Sequence, residues 1–289
     1  MERTDKNIVR KAVAPRPDDA NKGTMGTLLC ICGSYGMAGA AMLAAEGALR
    51  CGLGLNVCAL PESVYPLAAV RIPESVFLPL PQTAQGRLSR ENIPLLLSRA
   101  ESAGAVLIGC GLGLCEDTER IVFSFLEKCE KPMVLDADAL NCVAKAPERL
   151  KAALAPVIVT PHPGEMARLA GGTAASVNSA REETARSFAA EYGVVTVLKG
   201  AGTIIASPEG KALINMTGNS GMATGGSGDV LAGMTASLLA QGAKPFEAAA
   251  AGAYLHGLAG DLAAERVGRI SLLPRDLIES IPAAFARCV

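Results

Sequence analysis

Thr27-Leu28-Leu29-Cys30-Ile31-Cys32, followed at once by Gly33-Ser34, is a continuous apolar run closed by a turn. A run this short, with no polar alternation, reads as a strand buried on both faces. Met37 to Arg50 is alanine-rich and helical, and it stops at Cys51-Gly52, where a glycine C-cap belongs. Leu55-Asn56-Val57-Cys58-Ala59-Leu60 is the next strand. Strand, helix and strand at this spacing form a parallel βαβ unit, whose ligands bind at the carboxyl ends of the strands.

The same alternation continues along the chain. Val76–Leu80, Ala105–Ile108, Met133–Leu135, Pro156–Thr160 and Val194–Leu198 read as further strands. Helices are expected over Ser89–Arg99, 117–129, 138–144, Ser176–Tyr192, 245–266 and 274–287. Thr203–Ala206 and Ala212–Ile214 flank Pro208-Glu209-Gly210, the signal of an antiparallel hairpin. No repeat or linker interrupts the pattern. The expectation is one α/β domain over residues 1–289, with a polar arm or short helix at 1–22 and an antiparallel edge.

Lys and Arg number 27 against 28 Asp and Glu, for a formal charge of −1. That balance supplies no electrostatic footprint for nucleic acid or an acidic membrane surface. The start is charged rather than apolar, and no long uncharged apolar stretch occurs, so a cytoplasmic protein is expected. Nine cysteines and two histidines lack the spacing of a zinc site, and buried reduced thiols are expected.

Chemistry concentrates in Thr217-Gly218-Asn219-Ser220-Gly221-Met222-Ala223-Thr224-Gly225-Gly226-Ser227-Gly228-Asp229, which runs directly into the apolar helix beginning at Val230. A glycine-rich loop before a helix N-terminus is an anion site, and phosphate is the natural anion. A carboxylate there needs a reason. Asp229 either favours the helix start or acts as a general base toward a hydroxyl that attacks a held phosphoryl group. The helix dipole would keep it ionised. The residues by themselves leave both readings open.

Four turns follow predicted strands: Gly33-Ser34, Gly109 to Gly113, Pro161 to Glu165, and Lys199-Gly200. In a parallel sheet they share one rim. Gly109-x-Gly111-x-Gly113 lacks the dinucleotide G-x-G-x-x-G spacing, and no Walker A motif is present. His162 stands between two prolines that fix its direction. Glu165 either holds water on Mg²⁺ or opens the following helix. Lys199 is placed to neutralise phosphate. Asp136 is a candidate for a metal or substrate shell, Asp138 reads as a helix N-cap, and His256 as a packed, hydrogen-bonded histidine.

Jointly these pieces resemble the NAD(P)H-hydrate dehydratases of the ribokinase-like superfamily. The resemblance rests on Gly33-Ser34 with Gly39-Ala40-Ala41, the 109–113 turn, Leu135-Asp136-Ala137-Asp138, Thr160-Pro161-His162-Pro163-Gly164-Glu165, Lys199-Gly200-x-x-Thr203, and Thr217-Gly218-Asn219 through Gly228-Asp229-Val230-Leu231. These appear in family order over roughly residues 22–285. The resemblance implies a three-layer ribokinase-like fold, with a mostly parallel sheet between helices. It implies repair of the S epimer of hydrated NADH or NADPH, by phosphorylation of the hydrate hydroxyl from ADP or ATP with Mg²⁺ and then elimination of phosphate. Asp229 would be catalytic. Ala40, Gly111, Gly113, His162 and Asp229 would contact the hydrate. Lys199, Gly200, Ala201, Gly202, Thr203, Asn219, Gly225, Gly226, Ser227 and Gly228 would contact the adenine nucleotide, and Glu165 would reach the metal through water. A homotetramer is implied too.

Three departures stand out. Cys110 occupies the place of the usual proline, and Asn21-Lys22-Gly23 that of His-Lys-Gly. A chain of 289 residues leaves no room for the fused epimerase of many relatives, so a separate epimerase is expected. Two other readings compete: a ribokinase-like kinase of a vitamin-precursor alcohol, and a nucleotide-binding regulator without turnover. The Pro-His-Pro-Gly-Glu turn speaks against the first and Asp229 against the second.

Overall fold

The apolar runs become strands of one sheet, described in a computed structural model over residues 1–13 and 15–289. Ala14, inside the expected N-terminal arm, lies outside the described residues. The strands are β1 (Glu2–Arg3), β2 (Thr27–Ile31), β3 (Leu55–Pro61), β4 (Val76–Leu80), β5 (Ala105–Ile108), β6 (Met133–Leu135), β7 (Val157–Val159), β8 (Val195–Leu198), β9 (Thr203–Ala206) and β10 (Ala212–Asn215). Their order is β1-β10-β9-β8-β7-β6-β5-β2-β3-β4. β9 pairs antiparallel with β8 and β10, and every other pairing of these strands is parallel. The carboxyl ends of β2, β5, β6, β7 and β8 therefore share one rim, and the four expected turns lie along it.

Period-two side-chain alternation divides the core between the sheet faces. Leu28, Cys30 and Cys32 join one cluster, with α1 (Lys6–Ala12), α2 (Ala38–Arg50), α3 (Tyr65–Arg71), α10 (Ser227–Ala240), α11 (Pro245–Val267) and α12 (Pro274–Ala286). Leu29 and Ile31 join the other, with α4 (Ile93–Glu101), α5 (Glu116–Lys128), α6 (Asp138–Val143), α7 (Pro163–Ala170), α8 (Ala174–Ser179) and α9 (Arg181–Tyr192). Small residues let the central helices touch. A Cβ on Gly233 of α10 would lie 1.9 Å from the Ala44 carbonyl oxygen of α2, so only glycine fits there. All nine cysteines are free and eight are buried, as expected. Among the described residues, no helix is long and apolar enough to cross a membrane.

Several expected elements change at their ends. The first residues add β1 to the far edge beside β10, ahead of α1. A single helix was expected over Ser176–Tyr192, but it is two: Thr173 caps α8 in a reciprocal capping box, and the chain breaks at Ala180 before α9. The helix expected from Ser89 begins as a 3-10 turn at Arg90–Asn92 and becomes α-helical at Ile93, where Pro94 suits the first turn. α10 starts at Ser227, so Asp229 lies inside its first turn rather than ahead of the helix.

Candidate active site

β8 delivers Lys199 and β6 delivers Asp136 to the same point on the rim. Lys199 Nζ donates to Asp136 Oδ1 at 2.7 Å and lies 3.6 Å from Glu165 Oε2. Burial disfavours the ammonium, but the two carboxylates outweigh it and hold its pKa above the usual lysine value. The Thr160 hydroxyl also donates to Asp136 Oδ1, at 2.6 Å. Asp136 is thus the buried pivot that orients Lys199.

The same ammonium reaches the start of α10, since a Cβ on Gly228 would lie 3.4 Å from Lys199 Nζ. At that helix start the amides of Gly228 and Asp229 have no partner among the described residues, while Val230 N–H already bonds Gly226 O. Two free amides, the positive end of a helix and a lysine converge there. Such a cluster is able to hold a phosphoryl group.

Asp229 stands in the same first turn of α10. Its carboxylate takes no hydrogen bond from a backbone amide among the described residues, and the N-cap position is held by Gly226 without side-chain help. One of its oxygens lies with Cys110 Sγ and an Asp136 oxygen, all within 4.8 Å of one another. Burial, and then the charge of Asp136, push its pKa up to about 7, against the Cys110 hydrogen bond and Lys199. The expectation that the helix dipole keeps it fully ionised is therefore corrected: desolvation outweighs the dipole. A carboxylate poised near neutrality is matched to general-base work.

The remaining candidates divide into ligand-facing and bracing groups. His162 caps α7: its Nδ1 accepts from the amides of Gly164 and Glu165 at 3.0 and 3.3 Å. That fixes Nδ1 as the acceptor and leaves the proton on Nε2, on a ring that is 52% exposed. Glu165 completes the capping box, with Oε2 accepting from His162 N–H at 2.8 Å. Its Oε1 receives no backbone hydrogen bond and lies 3.6 Å from His162 Nε2. The Cys110, Asp136 and Asp229 group does not suit Mg²⁺ directly, because magnesium takes oxygen ligands and Lys199 already occupies Asp136.

Asp138 was expected as an N-cap. Instead Ala137 precedes α6 at a φ of 50°, and Asp138 Oδ2 accepts from the Gly113 amide at 2.8 Å. The acid thus ties the 109–113 turn to β6. Ala40, at the start of α2, packs against Gly111 of that turn. Asn219 spends its side chain on the Gly260 carbonyl, Asp261 and the Gly221 amide, which shapes the loop. Ser227 turns its hydroxyl and carbonyl toward His256 Nε2. Burial lowers His256 to about 4, against the Ser227 hydrogen bond, so it braces the helix start as a neutral group. Thr203 closes the 199–203 turn by donating to Gly200 O at 3.0 Å.

Two residues escaped sequence reasoning. Arg181 donates to the carbonyls of Leu198, Lys199 and Gly202, so it braces the 199–203 turn from α9. Asp261 accepts from the Gly218 amide and Asn219, and so ties the glycine loop to α11. Nothing local marks either, because each acts on a segment distant in the chain.

A family profile described as NAD(P)H-hydrate dehydratase matches residues 28–283. A bifunctional NAD(P)H-hydrate repair enzyme of Moorella thermoacetica is 44% identical over 94% of this chain and 52% of its own length. The chain thus spans about half the length of the curated relatives of that kind. An ADP-dependent (S)-NAD(P)H-hydrate dehydratase of Neisseria meningitidis is 41% identical over 88% of this chain and 82% of its own. An ADP/ATP-dependent NAD(P)H-hydrate dehydratase of Bacillus subtilis, co-crystallised with ATP/Mg²⁺, superposes at TM-score 0.85 with 33% identity, covering 100% of this chain and 99% of that one. A Thermotoga maritima ribokinase superposes at TM-score 0.52 with 15% identity, over 90% of this chain and 99% of its own, which carries the ribokinase-like fold alone.

Proposed function

The chain belongs to the NAD(P)H-hydrate dehydratase family, and from that premise we propose that it returns the S epimer of hydrated NADH and NADPH to the reduced cofactors, with ADP or ATP as phosphoryl donor. The observation that carries this reading is Asp229 in the first turn of α10, its carboxyl raised to about 7 beside free amides and Lys199.

The steps follow from that placement. The terminal phosphoryl group rests on the Gly228 and Asp229 amides, with Lys199 beside them. Asp229 takes the proton from the hydrate hydroxyl as its oxygen attacks phosphorus, and the shortened nucleotide leaves. The carbon that now bears phosphate adjoins the ring nitrogen, whose lone pair expels phosphate. Loss of a ring C–H proton restores the dihydronicotinamide. No second nucleophile is needed. Magnesium would enter with the nucleotide and neutralise phosphate charge, with Glu165 Oε1 holding one of its waters. Gly200 to Thr203 and the glycine loop bind the nucleotide, while Ala40, Gly111, Gly113 and His162 bind the hydrate.

The chain acts as one unit, in the cytoplasm and as a homotetramer, with an epimerase converting the other hydrate epimer. Incubation with hydrated NADH, Mg²⁺ and ADP or ATP should release phosphate and NADH in equal amounts, and only with nucleotide present. Accumulation of a phosphorylated product, without return of dihydronicotinamide absorbance, would establish an ordinary kinase instead.

A further inference from the structure

Arg87 lies on the loop between β4 and α4, and no element of the dehydration chemistry above uses it. Gln82 and Leu88 form an isolated antiparallel bridge that closes this loop into a small hairpin. Thr83 then holds its tip: Thr83 N–H donates to Arg87 O at 2.7 Å, and Arg87 N–H to Thr83 Oγ1 at 3.3 Å. The loop docks on the rim through Tyr35 N–H, which donates to Gly86 O at 2.9 Å. The backbone of Arg87 is therefore fixed beside the turn that ends β2.

Its side chain lies over the turn that ends β5. A Cβ on Gly113 would meet Arg87 Nε at 2.6 Å, Cδ at 3.1 Å and Cγ at 3.2 Å, so Gly113 is bare to let this stem pass. The Nε is buried and has no hydrogen-bond partner. Among the described residues the guanidinium joins no ion pair, unlike the Lys199 ammonium. An arginine held in place with a buried, unpaired N–H is costly unless something completes it.

Gly113 is three residues beyond Cys110, whose sulfur lies within 4.8 Å of the Asp229 carboxylate. The turn that Arg87 covers is thus the same one that faces Asp229 through Cys110. On the neighbouring turns Tyr35 is 75% exposed and Leu114 47% exposed, which leaves apolar surface near Arg87 for the rest of a dinucleotide.

We propose that Arg87 anchors the pyrophosphate of the hydrated dinucleotide, with its guanidinium fork on the phosphate oxygens. This rests on the dehydratase reading, which supplies a substrate whose reacting ring is joined through ribose to that pyrophosphate. Bidentate geometry toward phosphate is what distinguishes arginine from lysine at such a place.

Arg87→Met keeps the apolar stem over Gly113 and removes the charge, and Arg87→Lys keeps a point charge without the fork. Arg87→Met should raise KM for hydrated NADH and hydrated NADPH alike, by roughly 10- to 100-fold, with kcat and the KM for ADP unchanged. Arg87→Lys should fall between. Equilibrium titration with NADH, which carries the same pyrophosphate, should show the same ranking without any turnover. An unchanged KM for the hydrate, an equal rise in KM for ADP, or a rise confined to hydrated NADPH would overturn the assignment while leaving the dehydratase reading intact. Failure of the unaltered protein to turn over the hydrate would instead overturn the dehydratase reading, and the NADH titration would then decide Arg87 by itself.

Discussion

Replacing Asp229 by Asn should make the protein more stable at high pH and nearly inactive at every pH. The carboxyl rises from its ordinary 3.8 to about 7 in the folded state, first through burial and then through Asp136. The native state therefore holds this proton more tightly than the unfolded chain does. Stability must fall as pH climbs from about 4 through about 7 and then level off. A difference of that size corresponds to roughly 4 kcal/mol carried by the ionised form at pH 8.5. At pH 5.5 the native carboxyl is still protonated while the unfolded one is ionised, and roughly 2 kcal/mol remains. Asn cannot ionise, so the stability of Asp229→Asn relative to the unaltered protein should improve by roughly 2 kcal/mol between pH 5.5 and 8.5. Urea titrations of both proteins at the two pH values measure this directly. Turnover of hydrated NADH by the unaltered protein should rise through one ionisation near neutrality, and the variant should lose about 10²- to 10⁴-fold. A gap between the two proteins that stays constant over this pH range would refute the burial argument. Near-normal turnover by the variant would refute the base.

Lys199→Met should cost roughly 3–5 kcal/mol at neutral pH, because it leaves buried Asp136 without its ammonium partner; chemical denaturation checks this, and nucleotide should then shift the melting temperature less. His162→Asn retains a side-chain acceptor for α7 whereas His162→Ala loses it, so only the alanine variant should lose about 0.5–2 kcal/mol of stability. Both should raise KM for the hydrate with little change in KM for ADP, and steady-state kinetics separate the two roles.

The class of fold was legible in residues 27–60 because a buried parallel strand must be apolar along its whole length. The rim was legible too, since each turn there is spelled out in glycine or proline within a few residues of its strand. Within the glycine loop the same local signals marked an anion site before a helix. The break at Ala180 was not legible, because it serves to seat Arg181 under carbonyls at Leu198 to Gly202, about twenty residues away. Nor was β1, whose partner strand lies more than two hundred residues on.

The chain by itself determined which side chains could do chemistry, through local periodicity and turn composition, which act between neighbours. Tertiary structure decided what each of them does. Asp138 reads as a cap until the fold brings the Gly113 amide to it, 25 residues away. Lys199 reads as an exposed phosphate partner, and the fold adds Asp136, 63 residues away, which buries and orients its ammonium. The Asp229 carboxyl moves to about 7 only when folding removes its water and sets a second carboxylate beside it. Desolvation and charge coupling depend on distances through space, and distances through space between such residues exist only once the sheet has formed.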